Sequence, residues 1–305
     1  MTHTSDPIEI RYFEPPPSFR ILGVPVHAVQ IPDVVSQIQR WIRSNVKGRY
    51  IAVTGMHGIA ESRSDSDYRR ALDAADLVAP DGMPLVWLGR WHGHLLKRRV
   101  YGPELMETFC RETGPTYRHF LYGGGPGTAE RLADSLRQRY GIVVAGTYCP
   151  PFRALTDEEQ RDVTSRIREV SPNILWVGLS TPKQEKWMHD NRRTIPVPVM
   201  LGVGAAFDFN CGKTRQAPSW MRENGLEWLF RLSSEPRRLW RRYLVSIPKA
   251  AALVLLELVG LLRPRTPCGF ARSCRLTRCL PAIAVTKSTN PSMVISVDVP
   301  RFRGS

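Results

Sequence analysis

Short apolar runs alternate with longer amphipathic stretches between residues 21 and 206. The apolar runs predict strands at 50–54, 77–79, 117–122, 142–147, 173–178 and 198–203. The stretches between them predict helices at 59–71, 84–91, 128–140, 157–170 and 182–192. Strands that alternate with helices of this length predict a mainly parallel sheet with helices on both faces, so the fold class is α/β.

The pattern changes after residue 210. Residues 211–265 carry eleven basic and four acidic residues, with five aromatic side chains among them. Residues 1–19 are polar and lack the apolar segment of a signal peptide. Residues 263–305 show no helical or strand period, which predicts a disordered tail. We therefore expect a leader (1–19), a catalytic core (20–210), a basic helical appendage (211–262) and a tail (263–305).

The apolar run at 247–262 lies within this appendage. It is shorter than the roughly 20 apolar residues that a spanning helix needs, and Pro248, Lys249 and Glu257 interrupt it. Four arginines lie just upstream: Arg237, Arg238, Arg241 and Arg242. Because basic residues attract anionic lipid, the pattern favours peripheral attachment to a membrane. The alternative is a helix that packs on the protein's own core.

The chain is strongly basic, with 43 Lys+Arg against 28 Asp+Glu and a net charge of +15. This charge favours an anionic partner, which includes nucleic acid, acidic lipid and phosphate-bearing substrates. The six cysteines form no CxxC pair, so we expect reduced thiols in a cytoplasmic protein and no metal site.

A glycine-rich turn, residues 123–127 (GGGPG), follows a predicted strand and precedes a predicted helix. Gly123 and Gly124 would let backbone N–H groups approach a phosphate closely. The alternative is a tight turn without a ligand. The turn does not match GxGxxG, which disfavours a nicotinamide enzyme.

Asp81 follows the short strand at 77–79, at the sheet edge where α/β proteins bind ligands. A carboxylate there could accept a proton from an attacking hydroxyl. The local pattern by itself favours a simpler role, the capping of a helix that begins near Gly82.

Two further motifs are explained by helix capping. Thr181, Pro182 and Gln184 have the spacing of a capping box, although Gln184 could also bind a substrate. Asp65 and Asp67 form a DxD sequence, but polar residues precede it. A metal-binding DxD should end an apolar strand, so we interpret this one as a helix cap or turn.

Ten ordered blocks along residues 20–247 resemble the WecG/TagA/CpsF family of glycosyltransferases. They are 21–26 (ILGVPV), 75–82 (ADLVAPDG), 99–105 (RVYGPEL), 121–124 (LYGG), 177–185 (VGLSTPKQE), 202–209 (GVGAAFDF), 215–218 (RQAP), 225–228 (GLEW) with 231–232 (RL), 235–238 (EPRR) and 242–244 (RYL).

The resemblance implies a Rossmann-like core and an inverting transferase that requires no metal or other cofactor. The implied substrates are a UDP-sugar donor and a sugar acceptor linked to undecaprenyl diphosphate, used in cell-surface or exopolysaccharide synthesis. The resemblance also implies that the protein acts in the cytoplasm, attached to the inner face of the cell membrane. Asp81 becomes the general base on this resemblance, which overrides the capping interpretation.

The resemblance also assigns binding roles. It implies that Thr54, Arg99 and Gln184 line the active-site pocket. It makes four appendage arginines candidates for holding phosphate: Arg215, Arg222, Arg231 and Arg238. One position departs from the family, because the usual Thr-x-Asn block has Met56 in place of Asn. We expect His57 to replace this Asn, with a histidine that binds no ligand as the alternative.

A second class of function is a basic nucleic-acid-binding module, which the charge and aromatic residues of the appendage would also fit. The basic residues lie beside an apolar run that nucleic acid would not require, so we expect a membrane partner and no nucleic acid. The sequence leaves open whether the chain forms a homo-oligomer.

Overall fold

The computed structural model describes residues 16–262, so residues 1–15 of the predicted leader and the predicted disordered tail lie outside the described residues. At six positions it describes the backbone alone: Ser219, Glu223, Arg238, Arg241, Arg242 and Tyr243.

Strands and helices alternate along most of the described chain. The strands are β1 (Ser18–Ile21), β2 (Val24–His27), β3 (Arg49–Thr54), β4 (Leu77–Pro80), β5 (Arg118–Gly123), β6 (Val143–Tyr148), β7 (Ile174–Gly178) and β8 (Val199–Gly202). The helices are α1 (Ile31–Arg43), α2 (Met56–Glu61), α3 (Ser66–Asp73), α4 (Met83–Trp91), α5 (Gly102–Thr113), α6 (Thr128–Tyr140), α7 (Asp157–Val170), α8 (Lys183–Asn191), α9 (Ala206–Asn210), α10 (Ser219–Glu223), α11 (Glu227–Ser234), α12 (Pro236–Arg241) and α13 (Ile247–Leu258). Short 3-10 and π-helical turns cover Gly114–Thr116 and Arg242–Ser246.

Six strands form one parallel sheet in the order β4-β3-β8-β7-β5-β6. Strands β1 and β2 form a separate antiparallel hairpin. The strand order and the helices around the sheet confirm the predicted α/β class. Each predicted strand between residues 50 and 203 is present, with its ends shifted by a residue or so.

Alternate residues of the strands enter cores on opposite faces of the sheet. In β3, Ile51 and Val53 join a core formed with α1, α5 and α6, whereas Ala52 joins a core that contains residues of the β1–β2 hairpin. A parallel strand buried on both faces is apolar at nearly every position, which explains why these strands appear in the sequence as continuous apolar runs.

The predicted helix at 59–71 is two helices, α2 and α3. The hydroxyl of Ser62 donates to the carbonyl of Ile59 as α2 ends. The carboxylate of Asp65 then accepts from the backbone N–H of Tyr68, 2.9 Å away, and caps α3. This confirms the cap interpretation of the DxD sequence. Lys186 holds the other carboxylate oxygen of Asp65 at 2.6 Å and lowers the pKa of that group.

Helices α10 to α13 lie in the segment predicted as the appendage. Ala250 and Val254 of α13 are buried in the core that contains the β1–β2 hairpin. The carboxylate of Glu257 accepts from the N–H of Leu22 at 2.7 Å. One side of α13 therefore packs on the protein, while several of its apolar residues, Leu255 and Leu258 among them, stay exposed. Among the described residues, no helix has both the length and the apolar character that crossing a bilayer demands.

Candidate functional site

The carboxyl ends of the six parallel strands meet at one edge of the sheet. From β5 the chain runs outward to β6, whereas from β7 it runs in the opposite direction to β8. Neighbouring strands with diverging connections create a crevice at their carboxyl ends, which is where open α/β sheets bind ligands. In this chain that crevice lies beside the glycine-rich turn after β5 and the Ser180–Thr181 turn after β7.

The glycine-rich turn brings the ends of β5 and β7 into close contact. Gly123 has a φ of 130°, and a Cβ placed there would lie 2.6 Å from the carbonyl oxygen of Gly178. The N–H of Gly124 donates to that same oxygen at 3.0 Å. Glycine is therefore required for both the backbone angle and the approach of the two strands, and α6 begins directly after the turn.

A first pocket of about 120 Å³ opens at this edge. Much of its wall is backbone and small residues from the ends of the strands, so we name it the glycine pocket. Its lining includes Gly55, Gly102, Gly124, Gly178, Ser180, Thr181, Gln184, Gly204, Ala205 and Asp208.

Gln184 and Thr181 are held in this wall by a buried acid. The carboxylate of Glu185 accepts from the hydroxyl of Thr181 and from the amide of Gln184, each at 3.0 Å. The side-chain oxygen Oε1 of Gln184 accepts from the backbone N–H of Gly204 at 2.9 Å. Burial raises the pKa of Glu185 to about 7.

The predicted capping box at Thr181 is wrong. Pro182 is the N-cap residue of α8, and no side chain caps this end of the helix. The hydroxyl of Thr181 donates to the buried carboxylate of Glu185 instead, so tertiary contact takes the group that local capping would have used.

A second pocket of about 330 Å³ lies between the core and the appendage. Trp87 of α4 and Trp228 of α11 line it and are 54% and 41% exposed, so we name it the tryptophan pocket. Its other apolar lining residues are Met56, Met83, Pro84 and Ile247.

The two pockets share a wall formed by Gly55, His57, Asp81, Tyr101 and Arg231. Asp81 follows β4, and its N–H donates to the carbonyl of Thr54 at 2.9 Å, which extends the β3–β4 ladder by one residue. The expectation that Asp81 caps α4 is wrong. The N-cap is Gly82, with a φ of 125°, and no side chain caps this helix. The Asp81 side chain is 35% exposed at the junction of the pockets.

Arg99 connects Asp81 to the appendage. Its Nη1 lies 3.9 Å from Oδ1 of Asp81, and its Nη2 donates to Oε2 of Glu227. The guanidinium carbon lies 4.3 Å from the ring centre of Tyr101, whose hydroxyl donates to Oε1 of Glu227 at 2.9 Å. Burial alone lowers the pKa of Arg99, but Asp81 and Glu227 outweigh it, so that pKa lies above its ordinary value.

The interpretation of the sequence gave no role to Glu227, Tyr101, Trp87 or Trp228. Glu227 and Trp228 lie in the family-like block at 225–228, and Glu227 is an acid in a basic segment, which was an available signal. Burial, together with Glu227, raises the pKa of Tyr101 and keeps its hydroxyl protonated as a donor.

The structure brings most of the predicted site residues together. Asp81, His57 and Arg231 line both pockets, Gln184 and Gly124 line the glycine pocket, and Arg99 lines the tryptophan pocket. The Nε of Arg231 is buried and has no hydrogen-bond partner within residues 16–262.

Other predicted residues lie away from the pocket walls. Thr54 is buried below them, with its hydroxyl 3.1 Å from that of Tyr68, and Gly123 supports the turn behind Gly124. Arg215 is exposed and Arg222 is half-buried, and neither lines the two pockets. The side chain of Arg238 lies outside the described part of the structure.

The acidic and histidine side chains of the site are spread out. Within the described range 16–262, no group of three or more His, Cys, Asp or Glu side chains is arranged to hold a metal ion. The charged groups around the junction of the pockets are two carboxylates, Asp81 and Glu227, and two guanidinium groups, Arg99 and Arg231.

Comparison with known proteins agrees with this geometry. The family model described as "Glycosyl transferase WecG/TagA/CpsF family" matches residues 19–264. An N-acetylglucosaminyldiphosphoundecaprenol N-acetyl-beta-D-mannosaminyltransferase of Bacillus spizizenii is 29% identical over 228 residues, which cover 74% of this chain and 86% of the relative. The protein of the same name from Bacillus subtilis is 30% identical over 194 residues, which cover 63% of this chain and 73% of the relative. The chain therefore belongs to the WecG/TagA/CpsF family of glycosyltransferases.

Proposed function

We propose that this protein transfers an N-acetylhexosamine from a UDP-sugar to N-acetylglucosamine linked to undecaprenyl diphosphate, with inversion and without a metal ion. The observation that carries the proposal is the position of Asp81. Its partly exposed carboxylate lies in the wall shared by the two pockets, so it can face a donor on one side and an acceptor on the other.

The glycine pocket suits the UDP-sugar. Its wall of glycines allows phosphate oxygens to approach the backbone closely, and the N-terminus of α6 adds a favourable dipole. Arg231 lines the same pocket, and its buried Nε can donate to a diphosphate.

The tryptophan pocket suits the acceptor. Aromatic faces bind the apolar faces of sugar rings and leave hydroxyl groups free for polar contacts. This pocket also opens between the core and α13, whose exposed leucines would enter the membrane interface. A lipid-linked sugar could thus occupy the pocket while its hydrocarbon chain stays in the bilayer.

Asp81 supplies the base in this reaction. Its carboxylate accepts the proton of an acceptor hydroxyl as that oxygen forms a bond to the anomeric carbon. The bond from the anomeric carbon to the diphosphate oxygen breaks, and UDP leaves with the bonding electron pair. A single displacement inverts the anomeric centre. Arg231, which lines the glycine pocket, stabilises the charge that develops on the diphosphate, which is the role that a metal ion has in other transferases.

His57 and Met56 bear on which sugars are accepted. His57 lines both pockets beside Asp81, whereas Met56 lines the tryptophan pocket. We infer that the imidazole of His57 replaces the usual Asn amide as a hydrogen-bonding group for substrate, which would change which hydroxyl or N-acetyl group is recognised.

The place of action follows from the acceptor. The exposed apolar residues of α13 and the basic residues upstream of it support attachment to an anionic membrane surface, on the inner face of the cell membrane.

A direct test offers the purified protein a panel of UDP-sugars with N-acetylglucosaminyl-diphospho-undecaprenol or a short-chain analogue. Mass spectrometry identifies the product, and NMR of the new linkage gives its anomeric configuration. Assays in EDTA should retain full activity. Retention of configuration, or activity that is lost in EDTA and restored by Mn²⁺, would contradict the proposed mechanism.

Asp81→Asn tests the base role of Asp81 most directly. The amide keeps the size of the side chain but cannot accept the proton, so we expect turnover to fall by a factor on the order of 10² or more. The measurement is kcat at saturating donor and acceptor, with circular dichroism to verify folding. Near-normal turnover would remove Asp81 from the base role.

A further inference from the structure

Arg99 is shared between two carboxylates that come from distant parts of the chain. Asp81 follows β4 of the core, and Glu227 begins α11 of the appendage. The guanidinium lies 3.9 Å from Asp81 but donates directly to Glu227. The stronger contact of Arg99 is therefore with the residue that the proposed mechanism does not use.

Glu227 is held firmly in this place. Its side chain is only 6% exposed. Tyr101 donates to its second oxygen, and the same ring lies against the guanidinium of Arg99. The three side chains form a buried cluster in which Arg99 has little freedom to turn toward Asp81.

This arrangement matters because a direct ion pair with arginine stabilises an ionised carboxylate and weakens it as a base. The titratable or charged groups that line the pockets around Asp81 come from four segments. They are His57 of α2, Arg99 and Tyr101 before α5, Asp208 of α9, and Glu227 and Arg231 of α11. Asp208 pairs with Lys213 at 3.4 Å, whereas Glu227 is bonded to Arg99, the arginine that also lies 3.9 Å from Asp81.

We propose that Glu227 is a positioning residue that holds Arg99 away from Asp81 and thereby preserves the strength of Asp81 as a base. Because Glu227 belongs to the appendage, the base reaches full strength only while α11 is docked against the core. This inference rests on the proposed function, in which Asp81 accepts the proton.

The test is the pH dependence of kcat for Glu227→Gln in the full chain. The amide removes the charge that holds Arg99, so Arg99 can pair with Asp81. The pKa that governs the acid limb should then fall by about one unit. Turnover on the alkaline plateau should fall by about threefold, because a weaker base accepts the proton less readily in the transition state. Glu227→Asp, which keeps the charge, should retain the acid limb of the parent protein.

Glu112→Gln is the matched control, because Glu112 is an exposed acid on α5 that lines neither pocket. It removes the same charge and should leave the pH profile unchanged. Thermal unfolding of each variant shows whether the fold is kept, and if Glu227→Gln does not fold, Glu227→Asp decides alone.

Two outcomes would overturn the inference. One is a folded Glu227→Gln protein that loses activity without any shift of its acid limb, which would indicate a structural role alone. The other is a Glu227→Asp protein whose acid limb moves although the charge is kept. Asp81→Asn distinguishes failure of this inference from failure of the proposed function. If Asp81→Asn is inactive while the acid limb of Glu227→Gln stays where it is in the parent protein, the role of Glu227 is disproved and the role of Asp81 stands.

Discussion

The two pockets that meet at Asp81 are built in opposite ways. The glycine pocket is walled largely by strand ends and by glycines and other small residues, with Tyr101, Phe207 and Phe209 among its larger side chains, and it belongs almost wholly to the α/β core. The tryptophan pocket is walled by large side chains, Trp87 from the core and Trp228 from the appendage. Backbone walls suit a phosphate-bearing ligand, and broad apolar walls suit a sugar attached to lipid.

This difference indicates how each pocket should respond to substitution. In the glycine pocket an added atom occupies the space where ligand and backbone must approach. In the tryptophan pocket a removed ring takes away the contact surface itself. Substitutions that add a methyl group should therefore damage donor binding, and substitutions that remove a ring should damage acceptor binding.

Among substitutions of the pocket walls, the largest effect is expected for Gly124→Ala. Gly124 has a φ of 76°, and a Cβ there would lie 3.0 Å from Cβ of Thr128, which follows the turn. The turn must shift to relieve this contact, and we expect donor binding to weaken by about 2 kcal/mol, a rise of about thirtyfold in the KM for the UDP-sugar. The KM for the acceptor should change little, and initial rates at varied donor and acceptor concentrations separate the two.

Gly141→Ala is the control for this substitution. Gly141 has a similar φ of 67° at the end of α6, but a Cβ there would meet no atom within 4 Å. It imposes the same backbone strain far from the pocket, so it should lower stability without changing either KM. An equal rise in donor KM for both variants would show that strain, and not the pocket wall, is responsible.

A smaller effect is expected for Trp87→Ala, on the acceptor side. Loss of an aromatic contact costs about 1 kcal/mol, which raises the KM for a detergent-solubilised acceptor by about fivefold. Trp91→Ala is the control, because Trp91 lies on the same helix, is 66% exposed and does not line the pocket. A rise in donor KM instead would reverse the assignment of the two pockets.

The smallest effect on activity is expected for Glu185→Gln, which changes stability instead. Burial raises the pKa of Glu185 to about 7, so the native protein binds a proton there that the unfolded chain releases at a lower pH. The free energy of unfolding should therefore fall as pH rises from about 4.5 to 7.

The glutamine cannot ionise, and its oxygen can still accept from Thr181 and Gln184. At pH 8 the variant should be more stable by about 1–3 kcal/mol, with little difference near pH 4.5 and nearly normal kcat. Urea unfolding at the two pH values measures this, with Glu112→Gln as the exposed control. A variant that is less stable at pH 8 would show that the ionised carboxylate is needed.

The sequence was enough to predict the α/β fold, because strands buried on both faces of a parallel sheet must be apolar along their length. The mostly apolar runs at residues 50–54 and 173–178 are examples of such strands. It also determined the glycine turn at 123–127, because positive φ angles and close strand approach leave few other choices. The family-like blocks predicted a general-base role for Asp81 in place of a helix cap, and the structure places Gly82 in the capping position.

The side chains that surround Asp81 could be found only from the packing of the folded chain. Arg99 and Glu227 are 128 residues apart, and no local period relates them. Thr181 had the spacing of a helix cap, yet its hydroxyl donates to the carboxylate of Glu185. The sequence pattern near Thr181 gave no sign that this carboxylate is buried. Capping and periodicity depend on neighbours within a few residues, whereas the ion pairs and pocket walls of this site depend on how the appendage packs against the core.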